Sequence, residues 1–96
     1  MNRVSRIKLY RYQAQFLLDL IETAACDEKN KVDKIARLTA QLRTALDGDN
    51  DFIEVDVYLK DFLNIQRFDV VMDHHDADRI YGEIAKLMKE QAKFTL

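Results

Sequence analysis

Ile7, Tyr10, Ala14, Leu17, Ile21 and Ala24 fall at alternating spacings of three and four. Such a seam stays on one face of an α-helix and predicts a first helix from about Val4 to Cys26. A second apolar row, Leu9, Phe16 and Leu20, lies off that seam, so this helix must be covered on two sides, by its neighbours or by a second copy of the chain. After the polar break from Asp27 to Asn30, Asn30 is placed to cap a second helix, with Asp33 near the positive end of its dipole. Val32, Ile35, Thr39, Leu42 and Leu46 form its inner stripe, widened by Leu38 and Ala45. Lys31, Lys34, Arg37 and Arg43 take outer positions, and Gly48 is expected to end the helix in a left-handed conformation.

Residues 52–59 carry two competing patterns. Ile53, Val55, Val57 and Leu59 alternate with Glu54, Asp56 and Tyr58, as in a half-buried strand. Phe52, Val55, Leu59, Phe62 and Leu63 make a longer helical stripe, and Asp51 with Glu54 has the spacing of a capping box. The longer stripe decides for a third helix, on which Ile53 and Val57 form a small apolar patch among polar neighbours. Phe68 to Met72 reads as an apolar connection, or as a strand paired with 52–59 if the helix is wrong. A fourth helix follows from about Asp76 to Lys93, with Ala77, Ile80, Ile84 and Leu87 inward and Tyr81, Ala85, Met88 and Ala92 beside them.

With no proline and only Gly48 and Gly82, the chain has little backbone punctuation. The expected fold is therefore all-α, a small antiparallel bundle of about four helices forming a single helical domain over residues 1–96. The alternative is α+β, with a short hairpin from residues 52–59 and 68–72. No internal repeat is visible. At 48% hydrophobic and 33% charged residues the composition is that of a folded domain rather than a disordered chain. No apolar run approaches the ~20 residues of a membrane span, and Arg6, Lys8 and Arg11 interrupt any signal-like region, so a cytoplasmic protein is expected. A single cysteine, Cys26, agrees with a reducing compartment and reads as a small core side chain at a helix end.

Charge is segregated. Residues 44–78 carry ten acids against Lys60 and Arg67, a net of −8, whereas residues 1–43 carry +4 and residues 79–96 carry +2. A dense array of carboxylates on a small scaffold suits a basic surface on another protein, which it would meet at a steered on-rate. The basic N-terminus, Arg3, Arg6, Lys8 and Arg11 interleaved with Tyr10 and Tyr12, offers phosphate contacts instead. On a helix those four charges spread over more than half the circumference, so they form no focused groove.

Catalytic and metal patterns are weak. His74 and His75, within Asp73-His-His-Asp76-Ala-Asp78, are adjacent and point about 100° apart on a helix, whereas paired ligands need a spacing of three or four. The plain reading is a solvated helix start whose acids suit the dipole. Asp47-Gly48-Asp49-Asn50-Asp51 resembles a calcium loop, but Phe52 stands where that loop needs glycine and Tyr58 where it needs glutamate. Cys26 has no base assigned by sequence, and no phosphate-binding glycine loop or nucleophile elbow is present.

The sequence therefore predicts a non-enzymatic protein-binding module, an inhibitor, adaptor or regulator without metal or cofactor. Asp47, Asp49, Asp51, Ile53, Glu54, Asp56 and Val57 form the expected contact surface. A homodimer through the first helix is expected. The rival reading is a nucleic-acid-binding regulator using Arg3, Arg6, Lys8 and Arg11, and no membrane association is expected.

Overall fold

The computed structural model describes residues 4–26, 35–68, 71–73 and 75–91, for Leu59 and Phe62 the main chain only. The expected Asn30 cap, Val32 and the last residues of the fourth helix lie outside that range. In chain order the elements are β1 (Val4–Tyr10), α1 (Arg11–Ala24), α2 (Ala36–Leu46), β2 (Phe52–Tyr58), α3 (Leu59–Gln66) and α4 (Ala77–Gln91).

The fold is mixed rather than all-α, because β1 and β2 pair antiparallel with Ile7 opposite Val55 at the centre of the register. Both strands alternate in register with each other. Ser5, Ile7 and Leu9 on β1, and Ile53, Val55 and Val57 on β2, are buried, and the residues between them face outward. Three β-branched residues in β2 favour the pleated surface, and the matching alternation on β1 supplies a partner. The hairpin alternative is corrected as well: β2 pairs with the N-terminal strand, and the described residues Phe68, Val71 and Met72 are in no strand. Asp51 and Glu54 do not cap a helix there.

Helices cover one face of this ribbon. α2 packs along β2, α4 along β1, and α1 lies against both helices and the sheet. An isolated two-stranded sheet is marginal in water, so this cover is what makes the ribbon stable. The ribbon edges are closed by side chains. The Gln91 carboxamide accepts from Lys8 N at 2.8 Å and donates to Lys8 O at 3.0 Å. The Gln41 carboxamide does the same at Asp56, 2.9 Å and 3.0 Å. Each amide satisfies the outward N–H and C=O that a third strand would otherwise take.

These contacts reveal a repeat that the sequence hides. The order β-α-α occurs twice, and a shift of 48 residues carries β1 onto β2 with Ile7 falling on its own partner, Val55. An antiparallel pair has a local two-fold axis, which here passes through that pair. The same shift carries Lys8 to Asp56, the two clipped residues, and Tyr10 to Tyr58, the two extended N-caps. It also carries Gln13 to Asp61, each of which accepts the N–H of its tyrosine. Within the strands only the two tyrosines are identical.

The core is built from Ile7, Leu9, Leu17, Ile21, Ile35, Leu38, Leu42, Val55 and their neighbours. Both apolar rows of the first helix, from Ala14 onward, are buried within one chain, which removes the reason for placing a second copy against α1. Gly48 has no positive φ and forms no left-handed cap. α2 ends instead with Asp47 N bonded to Arg43 O and with Leu46 O taken by a distant arginine.

Candidate protein-binding surface

That arginine, Arg11, organises the acidic turn. The first residue of α1 sits beside the turn because Arg11 N donates to Asp51 O at 2.9 Å, extending the strand ladder by one rung. Its guanidinium donates to Leu46 O at 3.0 Å, to Asn50 O at 3.0 Å and to Gly48 O. Alternate carbonyls of the turn thus converge on a cation, as in a calcium loop, but the cation is a side chain of the protein itself. Asp47, Asp49 and Asp51 are exposed on this turn, and among the described residues none of them pairs with a base.

The other expected contact residues divide. Ile53 and Val57 are 2% and 1% exposed and belong to the core, so the expected apolar patch does not exist as surface. Their neighbours Glu54 and Asp56 lie on the outer face of the ribbon, where Arg6 spans both at 3.2 Å and 3.3 Å. Arg3 lies outside the described residues. Arg6 is thus paired with acids, Lys8 stands 4.4 Å over the Phe52 ring, and Arg11 spends its fork on backbone oxygen. Among the described residues, Arg6, Lys8 and Arg11 do not gather into one groove.

An aromatic cluster missed in the sequence closes the turn end of the ribbon. Tyr10 is 50% and Phe52 46% exposed, their ring centres are 4.9 Å apart, and Tyr12 stacks on Tyr10 at 6.1 Å. The alternation of β1 would have revealed it, since Tyr10 shares a face with Lys8 and Arg6 once the segment is extended.

A polar chain runs from this cluster along α4. Tyr12 Oη donates to Glu83 at 2.8 Å, Arg79 donates to the other Glu83 oxygen at 2.9 Å, and Arg79 pairs with Asp76 at 3.3 Å. His75 Nε2 lies 3.2 Å from the same Asp76 oxygen. The tyrosine's hydrogen bond, first among several contacts, holds the Glu83 carboxyl below its ordinary range, and the same bond raises Tyr12. Asp76, by hydrogen bond and charge, holds Arg79 even more firmly protonated. These groups fasten the start of α4 to the start of α1.

Among the described residues no three His, Cys, Asp or Glu side chains converge as metal ligands, and His74 lies outside them. Cys26, expected in the core, is exposed at the end of α1, with Sγ 3.7 Å from Glu22 O. An open cavity of about 510 Å³ lies between α1, the described residues Phe68, Val71 and Met72, and α4, floored by Phe16, Leu20, Phe68, Met72 and Tyr81. Among the described residues every buried side-chain nitrogen or oxygen has a hydrogen-bond partner, so no orphaned polar group there points to a ligand. No helix among the described residues is long and apolar enough to cross a membrane.

Comparison with protein-family models, with curated proteins and with solved structures finds no match for this chain.

Proposed function

We propose that this is a non-enzymatic, cytoplasmic protein-binding module whose acidic turn engages a basic surface on a larger protein, as an inhibitor, adaptor or regulator. The observation that carries the reading is the turn itself: Arg11 draws its carbonyls inward while Asp47, Asp49 and Asp51 stay exposed without a basic partner among the described residues. A turn tied at three carbonyls is pre-organised, so a partner pays little to order it. Three like charges at one end of an 11.3 kDa protein steer a cationic partner and set the salt dependence of the encounter.

The test uses Asp47→Lys, Asp49→Lys and Asp51→Lys together, against lysine- and arginine-rich peptides and a short DNA duplex as defined probes. Fluorescence anisotropy at low and high salt is expected to show peptide binding that salt weakens and the triple variant loses, with circular dichroism unchanged. Equal peptide binding by the variant would refute the acidic turn as the contact surface. Salt-dependent retention of the duplex, lost on reversing Arg6 and Lys8 to Glu, would install the nucleic-acid reading in its place.

A further inference from the structure

The outer face of the ribbon carries a charge pattern that is complementary to itself. β1 presents Arg6 and Lys8 outward, and β2 presents Asp56 and Glu54 directly opposite them. At the turn end Tyr10 and Phe52 sit opposite each other and half exposed. Among the described residues no helix covers this face, whereas the opposite face is sealed into the core. Gln41 and Gln91 occupy main-chain positions at the two edges, so a partner reaches the ribbon more readily through its face than by adding a strand.

We propose that this face is the interface of a weak, symmetric homodimer in which two ribbons stack with the two-fold axis parallel to the strands. The charge pattern selects that axis. Rotation about a line along the strands places β1 of one copy over β2 of the other and keeps each residue level with its own cross-strand partner. Lys8 then meets Glu54 of the second copy, Arg6 meets Asp56, and Tyr10 meets Phe52. Rotation about a line across the strands would stack β1 on β1 and bring Arg6 and Lys8 against their own kind, which costs affinity. Arg6, Glu54 and Asp56 keep 62%, 52% and 47% of their side chains exposed within the monomer. They therefore have surface left for a second partner.

The patch is small. Seven residues at ~3.4 Å each, on two strands ~4.8 Å apart, fall well short of the ~800 Å² per partner of a standard stable complex. The dimer is therefore concentration-dependent and salt-sensitive. It stands independently of the acidic turn, although it would set both turns at one end of the assembly and so make the module bivalent.

Sedimentation under reducing conditions tests it with an all-negative face, Arg6→Glu with Lys8→Glu, and an all-positive face, Glu54→Lys with Asp56→Lys. The wild type is expected to associate with rising concentration, each double variant alone to associate at least tenfold more weakly, and their equimolar mixture to recover association. In a Cys26→Ser background, a Lys8→Cys chain is expected to cross-link faster with a Glu54→Cys chain than with itself. A monomeric wild type up to millimolar concentration overturns the proposal. So does wild-type association by either double variant, failure of the mixture, or faster cross-linking of Lys8→Cys to itself.

Discussion

At the start of α1 and at the start of α3 the same local device holds two different side chains. Tyr10 N donates to the Gln13 amide at 3.0 Å, and the equivalent Tyr58 N donates to the Asp61 carboxylate. Gln13 also has an amide N–H₂ to give, which reaches Tyr12 Oη and Glu83 at 3.4 Å each, so its burial leaves little unsatisfied. Asp61 is 4% exposed, and when ionised it can only accept; burial raises its pKa against the help of Tyr58 N–H and the Arg37 charge. The helix with the neutral cap runs for 14 residues and buries eight of them, whereas α3 stops after 8 residues with only Asp61 and Ile65 buried among its described side chains. One plan used twice has produced a first helix, α1, that carries much of the core and a counterpart, α3, that carries little of it. Hydrogen exchange should find α3 opening before α1, because local stability follows buried apolar contact.

Truncating equivalent residues is the sharpest way to break this contrast. Leu17 and Ile65 are related by the 48-residue shift and line the same small space between α1, α3 and α4. Leu17→Ala should cost about 4 kcal/mol and Ile65→Ala about 2 kcal/mol by urea unfolding, since the well-packed centre of α1 relaxes less around a void. Equal losses would mean that the halves share the core evenly. Next in size, Arg11→Met leaves the carbonyls of Leu46, Gly48 and Asn50 without their donor, a loss of about 2 kcal/mol, and should loosen the turn enough to speed exchange at its amides. Arg11→Lys should rescue little, because one ammonium cannot span a forked site. The two edge amides come third. Gln41→Leu should cost about 1 kcal/mol and Gln91→Leu less, because water more easily replaces the amide at the exposed Lys8 edge than at the partly buried Asp56 edge.

The parts of the fold that rest on local spacing were legible in the sequence. α4 buries Ile80 and Ile84 as its stripe requires, with Met88 in place of Leu87 as its third fully buried position. α2 buries Leu38 and Leu42, with Ile35 buried at its N-cap, and α1 from Ala14 to Ala24 keeps its seam. The errors come from contacts distant in sequence. Ile7 and Tyr10 continued the helical spacing because a strand entering directly into a helix can place apolar residues at three and four by coincidence. The competing strand pattern in residues 52–58 was offered only the nearby residues 68–72 as a partner, since its mate lies 48 residues away and strand propensity depends on that mate. Of the candidate surface, the acidic turn was readable as charge alone. Arg11 was not readable as its anchor, because a guanidinium that bonds main-chain oxygen leaves no signature in the residue types it touches. Ile53 and Val57 followed the helix error: the register that puts them on a surface in a helix puts them in the core of a strand.

The smallest expected effect, the titration of Asp61, bears most directly on the contrast between the halves. Its folded pKa lies above the ordinary 3.8, so the stability linked to its neutral form is fully present below that value and is lost as pH rises through the raised one. At neutral pH the second half therefore carries a buried carboxylate whose desolvation opposes folding. Asp61→Asn keeps an acceptor for Tyr58 N–H and removes the ionisation, so the variant should match the wild type near pH 3 and become the more stable of the two as pH rises toward 7. Glu83 gives the opposite control. Its folded pKa lies below the ordinary 4.5, so its stabilisation is present above that value and is lost as pH falls through the lower one. Glu83→Gln should then be the less stable protein at pH 7 and converge with the wild type in acid. Thermal unfolding of both variants from pH 3 to 7 separates the cases by sign alone. If Asp61→Asn destabilises at neutral pH, the carboxylate contributes more through Arg37 and the helix start than burial removes. The cap of α3 would then be as sound as the cap of α1.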